Sequence, residues 1–376
     1  MKEDSQSVAV PPGPDAGDEG VRLAVRGSAG IVSLDRPAAG NAFTDAMRHA
    51  MTPAYERWAG DPAIYAVIIE STSPGIFCAG GDLHEMAQLQ ADPARARRSS
   101  AEEYTHNWRL DRFPRPHVAL IDGYHAGAGV GLTLYGTHRV AGEGYRFAMP
   151  EVSVGFFPDI GASHALARLP HAIGLYLALT GRAIKRADAH RLGLATHCIG
   201  AADYETIKAR LADADPVDQI LDALHESAGP GELVAAEGLI ADSFGEANVV
   251  AILRKLELTT GAMAEWAQAT ARELRAKSPF SLCLTFAQVR QAAQLSLKEV
   301  LEIDYRIAGR MLFRPDLAEG VRALLIDKDR RPRWMPAAIE DVDGDEVARC
   351  FTPLLEDPGF RLPDFGGLPG PISDRD

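Results

Sequence analysis

Two acidic residues stand out by their surroundings. In Ala148-Met149-Pro150-Glu151-Val152-Ser153-Val154-Gly155-Phe156-Phe157-Pro158-Asp159, the carboxyl groups of Glu151 and Asp159 are the only charges in an apolar, Pro- and Gly-rich stretch. A carboxyl group removed from water holds its proton more tightly, because the charged form loses the most solvation. Such a group serves as general base, general acid or nucleophile near neutral pH. The same residues also suit a helix cap or one half of a surface ion pair, and residue chemistry alone leaves the two uses level.

Two Gly-rich loops are the second feature: Cys78-Ala79-Gly80-Gly81-Asp82 and His125-Ala126-Gly127-Ala128-Gly129-Val130-Gly131. Each follows a strand-like run and precedes a helical one. Small residues let a ligand approach the backbone, and the unpaired N–H groups of a helix start point at negative charge. Two of them converging on one oxygen make an oxyanion hole, which stabilises an enolate or a tetrahedral thioester adduct. Neither loop is a Walker A sequence or a GxGxxG fingerprint, so a Rossmann-type phosphate cradle is disfavoured. Tight strand–helix packing would use the same residues. Asp82 reads as the N-cap of the helix that follows, a role that also fixes the Gly81 N–H.

These groups need a scaffold that ends strands beside both loops. VRLAVRGSAGIVSL (21–34) reads as two short strands around a Gly turn. A helix is expected after Thr44, a suitable N-cap, with an irregularity at Pro53. YAVIIES (65–71) has no polar alternation and should be buried on both faces. It leads into the first loop and a helix. HVALIDG (117–123) leads into the second loop, which opens into another helix, and 138–152 supplies further strand segments. Three short helical stretches follow. Residues 88–112, polar and rich in Arg and Ala, read as a helical excursion over the surface. Beyond about residue 205 helical patterns dominate, with Ser278-Pro279 as a helix start. Recurring strand–loop–helix units favour an α/β fold. The expected organisation is a disordered leader (1–20), an α/β core (21–204), a helical C-terminal region (205–336) and an extended tail (337–376).

Composition narrows the function classes. The 376 residues are 46% hydrophobic and 24% charged, ordinary for a globular protein. A formal charge of −13 argues against nucleic acid and anionic membrane as main partners. No apolar run approaches the ~20 residues that cross a bilayer. The leader lacks both a secretory apolar region and the Arg-rich, acid-poor character of a transit peptide, so a cytoplasmic location is expected. Cys78, Cys198, Cys283 and Cys350 are scattered, which fits free thiols; Cys78, beside the first loop, reads as a small buried apolar residue. His164, His171, His190 and His197 show no paired metal spacing, and no metal is expected. His125 and Tyr124 read as packing residues. Arg36 and Lys328 are the basic residues considered for phosphate contacts, with an ordinary surface charge as the preferred reading of each.

Taken together, LDRPAAGNAFTDAM, FCAGGDLHEM, ALIDGYHAGAGVGLTLYGTHRVAGEGYRFAMPEVSVGFFPDIGAS and LALTGRAIKRADAHRLGLATHCI resemble the crotonase (enoyl-CoA hydratase/isomerase) superfamily. The likeness continues through EVLEIDYRIAGRML and DLAEGVRALLIDKDRRPRWMP and covers roughly residues 21–336. Within that superfamily the chain is most similar to the 3-hydroxyisobutyryl-CoA hydrolases. Phe157-Pro158-Asp159 after the MPE motif, Val130-Gly131-Leu132 after the second loop and the segment through Lys328 and Trp334 carry this narrower likeness.

The resemblance implies a spiral of repeated ββα units with a helical C-terminal region. It implies an oxyanion hole made by the backbone N–H groups of Gly81 and Ala128, Glu151 and Asp159 as catalytic acids, and Gly80, Asp82, Gly127 and Gly131 around the substrate. The family usually has glycine where Ala128 stands; alanine keeps the N–H and adds a methyl close to the thioester. Hydratases of the superfamily carry a second glutamate where Gly131 stands, so two-glutamate hydration is disfavoured. The expected reaction is hydrolysis of a short β-hydroxyacyl-CoA. 3-Hydroxyisobutyryl-CoA, from valine breakdown, is the first candidate and 3-hydroxypropionyl-CoA the second. Coenzyme A is then part of the substrate and no cofactor is expected. A hydratase or isomerase using Glu151 alone, and a non-catalytic CoA-binding module, are the alternatives. The superfamily's trimers or hexamers imply a homo-oligomer.

Overall fold

The computed structural model describes residues 19–355 and 359–365. Residues 1–18 of the expected leader, and the last residues of the expected tail, lie outside them. Among the described residues there are ten strands: β1 (Val21–Arg26), β2 (Ala29–Leu34), β3 (Ala66–Ser71), β4 (Gly75–Cys78), β5 (His117–Ile121), β6 (Gly123–Ala126), β7 (His138–Ala141), β8 (Arg146–Ala148), β9 (Ile184–Lys185) and β10 (His197–Cys198). They form a six-stranded sheet in the order β1-β2-β3-β5-β7-β10 and a four-stranded sheet in the order β4-β6-β8-β9. β1 and β2 are an antiparallel hairpin, in register from Val21 opposite Leu34. β2, β3, β5, β7 and β10 run parallel. Consecutive strands alternate between the sheets: β3, β5 and β7 enter the larger, and β4, β6 and β8 the smaller. This is the expected spiral of ββα units.

β3 has the two buried faces that its unalternating sequence predicts, and β5 and β7 share them. Val67, Ile69, Ala119, Ile121 and Ala141 point into the main core. Ile68, Val118, Leu120 and Val140 point the other way, onto Ile207, Leu211, Ile220 and Leu221 of the helices Tyr204–Ala212 and Val217–Leu224. Side chains alternate along a strand, so both sets must be apolar when each face is covered. The main core also takes in Leu284, Leu301, Ile307 and Leu317, and one apolar interior joins the strands to the C-terminal helices.

The helix after Thr44 spans Asp45–Gly60, with the Thr44 side chain accepting from the Met47 N–H, and it runs through Pro53. Two expectations differ from the structure. The 88–112 stretch is not a surface excursion. Its helix, Pro93–Asp111, buries Tyr104, His106, Asn107, Trp108 and Leu110. The Arg- and Ala-rich composition hides an aromatic stripe at i, i+4 spacing, and that stripe decides which face turns inward. The described part of the 337–376 stretch is also packed rather than extended. It contains the helix Gly344–Arg349, buries Leu354 and Leu362, and its Pro363 carbonyl accepts from the Trp108 indole N–H at 2.8 Å. Among the described residues no helix is long and apolar enough to cross a membrane.

Candidate active site

The first loop leaves β4 at Cys78 and is pinned by Phe43. The Phe43 N–H donates to the Gly80 carbonyl at 2.8 Å, and the Asp82 N–H donates to the Phe43 carbonyl at 2.9 Å. Gly80 has φ +112°, a conformation that side chains disfavour. Asp82 caps the helix Leu83–Leu89: its Oδ1 accepts from the His84 and Glu85 N–H groups, while Oδ2 meets the Arg36 guanidinium at 2.6 Å. Burial alone would raise the Asp82 carboxyl, but Arg36 and the helix N–H groups prevail and hold it below the usual carboxylate range. Both Asp82 oxygens are thus engaged in holding the loop. Arg36 also donates to the Ala42 carbonyl at 3.0 Å, so it too serves the loop.

The second loop leaves β6 and starts the single helical turn Ala128–Gly131. Gly127 has φ +50°, and a Cβ there would meet Glu151 Oε1 at 2.7 Å; only glycine leaves room for the carboxyl. A Cβ on Gly129 would meet Cys78 Cβ at 2.5 Å, so the helix start rests directly on the end of β4. Cys78 is the packing residue expected, its thiol pushed up to about 12 by burial. The loops touch: a Cβ on Gly81 would stand 3.8 Å from the Ala128 methyl. Among the described residues, neither the Gly81 nor the Ala128 N–H has a hydrogen-bond partner. Two free donors on adjoining loops are what an oxyanion hole requires.

Both loops line a cavity of about 610 Å³, together with Glu151, Asp159, Glu103, Tyr104, Tyr124 and Phe156. Glu151 opens the 3₁₀ turn Glu151–Val154 just after Pro150. Its Oε2 is buried and has no hydrogen-bond partner among the described residues. Burial pushes its carboxyl up to about 8. Asp159 is 9% exposed and accepts from the Tyr104 hydroxyl at 2.9 Å. Burial, then the charges of Glu103, Glu151 and Asp304, hold its carboxyl well above the ordinary range. A third acid joins them. Glu103 is pushed up to about 7 by burial, with Arg48 opposing and Asp45 and Glu85 reinforcing the rise. Sequence reasoning missed Glu103 and Tyr104. The signal that would have found them is the inward face of the Pro93–Asp111 helix, on which Ser100, Glu103, Tyr104, Asn107 and Trp108 recur at helical spacing.

Gly131 is not where the sequence reading put it. It does not line the cavity. Its carbonyl accepts from Asn107 Nδ2 at 3.1 Å, and a Cβ there would meet that nitrogen at 2.7 Å and Ile160 Cβ at 3.3 Å. The Asn107 amide and Ile160 stand where a side chain at 131 would begin. His125 is also outside the cavity; its Nε2 pairs with the Thr133 hydroxyl at 2.6 Å, and burial lowers the imidazole to about 3. Tyr124, expected only to pack, is part of the cavity wall, its hydroxyl raised by burial and then by Glu151. Among the described residues no group of His, Cys, Asp and Glu could hold a metal ion.

Comparison with known proteins fits this geometry. Residues 29–351 match the family model described as enoyl-CoA hydratase/isomerase. A Xenopus tropicalis protein named 3-hydroxyisobutyryl-CoA hydrolase, mitochondrial, is 36% identical over 343 residues, 88% of each chain. The Danio rerio protein of the same name is 37% identical over 341 residues, also 88% of each chain. Among solved structures, a carnitinyl-CoA dehydratase from Mycobacterium thermoresistibile superposes with a TM-score of 0.85 at 33% identity, covering 91% of this chain and 99% of its own. An enoyl-CoA hydratase from Rhodobacter sphaeroides 2.4.1 superposes at 0.83 with 34% identity, covering 91% and 100%. The relatives named mitochondrial overturn the cytoplasmic expectation. An acid-rich leader was too weak a criterion for compartment.

Proposed function

The chain belongs to the enoyl-CoA hydratase/isomerase family, and on that premise we propose that it hydrolyses 3-hydroxyisobutyryl-CoA to 3-hydroxyisobutyrate and CoA. The observation that carries this reading is one cavity lined by Glu151, with a carboxyl oxygen that has no partner among the described residues, and by Gly81 and Ala128, whose N–H groups are likewise unpaired there, with Asn107 and Ile160 against position 131. Two-glutamate hydration lacks its second glutamate at 131, whereas thioester hydrolysis needs a base or nucleophile and an oxyanion hole.

In the proposed reaction the thioester oxygen sits between the Gly81 and Ala128 N–H groups. Carbon becomes tetrahedral by addition of either Glu151 itself or a water that Glu151 deprotonates, and the developing negative charge is held by the two donors. Losing one such donor typically costs about 3–4 kcal/mol. Collapse expels the CoA thiolate, which takes up a proton. In the direct route water then cleaves the Glu151 anhydride. Water and thioester are the only reactants, so the reading calls for no cofactor. Asp159, steadied by Tyr104, orients the β-hydroxyl or relays the proton to the leaving thiolate; Glu103 is a further hydrogen-bond partner for the acyl group. Phe43, Met86, Leu89 and Phe156 in the cavity wall support a short branched chain. Assembly into a homo-oligomer of three or six chains is part of the proposal and is read by light scattering.

The test is free-thiol detection over 3-hydroxyisobutyryl-CoA, 3-hydroxypropionyl-CoA, other short acyl-CoAs and crotonyl-CoA. The expected result is thiol release fastest with the first substrate and crotonyl-CoA absorbance unchanged. No thiol from any β-hydroxyacyl-CoA overturns hydrolysis. Loss of crotonyl-CoA absorbance without thiol shows a hydratase using Glu151 alone.

A further inference from the structure

The turn that carries Asp159 has a backbone that would not hold itself. Ile160 has φ +55° and Gly161 φ +75°. A β-branched residue in that region is an outlier, and such strain persists only where the surroundings over-determine it. Here they do. The Gly161 N–H donates to Asp304 Oδ2 at 2.7 Å. Gln288 Nε2 donates to the Pro158 carbonyl at 3.0 Å and to Asp304 Oδ1 at 2.8 Å. The Tyr135 hydroxyl donates to the Ile160 carbonyl. The Pro158–Asp159 and Ile160–Gly161 peptide groups of this turn are therefore gripped by one connected pair of side chains. Gln288 lies on the helix Pro279–Ala292 and Asp304 on the helix Leu297–Met311.

Neither residue borders the cavity, and their exposures are 2% and 0%. A buried acid with neutral donors is a poor device for stability, since an apolar side chain of similar size would do as well or better. Its grip on the turn that bears Asp159 is a specific consequence of its presence. We infer that Asp304 and Gln288 are positioning residues for Asp159, holding the 158–161 turn so that its carboxyl enters the cavity and meets the Tyr104 hydroxyl. The inference rests on the assignment of Asp159 to thioester hydrolysis, and it makes the C-terminal helices part of the site.

Asp304 also acts by charge. The groups that face Asp159 are Glu103 and Tyr104 from one helix, Glu151 from the 3₁₀ turn and Asp304 from behind, and the Asp304 charge adds to the rise of the Asp159 carboxyl. Tyr135 faces Asp304 from the opposite side. Geometry and charge separate by substitution. Asp304→Asn keeps an acceptor for the Gly161 N–H and removes the charge, giving up the acceptor for Gln288 Nε2; Asp304→Ala and Gln288→Met remove the grip.

The experiment compares the wild type with these three variants by thiol release from 3-hydroxyisobutyryl-CoA across pH 5.5 to 9.5, and follows Asp159 by ¹³C NMR of labelled aspartate. Gln288→Met and Asp304→Ala should lower kcat by about 10- to 100-fold with KM within about threefold, the scale expected for misplacing a reacting group by up to ~1 Å. Asp304→Asn should recover about tenfold over Asp304→Ala, and its Asp159 titration should move to lower pH. Should Asp304→Ala fail to fold, the other two variants carry the test. Folded variants with wild-type kcat and an unmoved Asp159 titration overturn the inference. So does an Asp304→Asn enzyme no better than Asp304→Ala with an unmoved titration, which shows a merely structural role. A wild type without thiol release overturns the reaction instead, and the NMR arm still decides the positioning.

Discussion

Replacing Glu151 by Gln should abolish turnover and, at alkaline pH, make the protein more stable. Burial moves the Glu151 carboxyl from 4.5 to about 8, and one of its oxygens has no partner among the described residues. The folded state therefore holds this proton more tightly than the unfolded chain does. A folded value raised above the unfolded one contributes stability that is complete below about pH 4.5 and is lost as pH rises through about 8. At ~1.4 kcal/mol for each tenfold change in proton affinity, the full loss approaches about 5 kcal/mol. Glu151 borders a cavity that admits water, and relaxation there brings the expected loss to about 2–4 kcal/mol.

Glutamine keeps the shape and cannot ionise. The stability difference between Glu151→Gln and the wild type should thus grow in favour of the variant between pH 5 and 8 and level off above. Glu103 and Asp304 titrate in both proteins, so their main effects cancel in the difference, which reports Glu151 together with its coupling to Asp159. Urea unfolding of both at intervals from pH 5 to pH 9, followed by circular dichroism, measures it. In parallel, thiol release by the variant should fall by at least about 10³-fold, the usual scale for losing a nucleophile or base. A stability difference that stays flat across this range refutes the buried, partnerless carboxyl. Intact turnover refutes its role. The two readouts come from one substitution, and they are linked by one cause: the desolvation that makes Glu151 reactive also makes its ionised form costly to keep folded.

Because the same group must ionise for catalysis as base or nucleophile, kcat/KM of the wild type should rise with pH through about 8 rather than through the 4–5 of an ordinary carboxylate; a limb at 4–5 counts against the assignment. Gly127→Ala should lose activity by about 100-fold or more and destabilise by roughly 1–3 kcal/mol, since it combines a left-handed backbone with a 2.7 Å approach to Glu151 Oε1; unfolding and thiol-release assays read both. Gly131→Glu should fail to create crotonyl-CoA hydration and should destabilise by about 3 kcal/mol or more, because its Cβ already collides with Asn107. Gain of hydration by that variant would show that the helix over Gly131 yields.

The chemistry most legible in the sequence lies in short contiguous stretches. Glu151 and Asp159 share one segment with the prolines and glycines around them, and each loop announces its backbone donors by its small residues. The unalternating run at 65–71 predicted a strand covered on both faces, as β3 is along Ala66–Ile69, and 117–123 predicted the strand found as β5. What the sequence did not show depends on which side of a helix faces inward. The helix Pro93–Asp111 carries Arg95, Arg97 and Arg98 near its start and reads as a solvated surface until its other face is traced. That face brings Glu103 and Tyr104 to the cavity and Asn107 against Gly131.

The case of Gly131 shows the difference between a missing group and a closed space. A glycine at 131, where the resemblance places a hydratase's second glutamate, says only that one acid is absent. The structure adds that Asn107 and Ile160 occupy the volume a side chain at 131 would enter. Asn107 belongs to the helix that also supplies Glu103 and Tyr104, while Ile160 belongs to the strained turn after Asp159. The elements that bring extra carboxyl chemistry into the cavity are therefore the ones that shut the hydratase position. A return to two-glutamate hydration would need the Asn107 amide and Ile160 to yield, and Asn107 shares its helix with Tyr104 while Ile160 adjoins Asp159. In this fold the two chemistries compete for one space, so no single substitution at 131 should exchange one for the other.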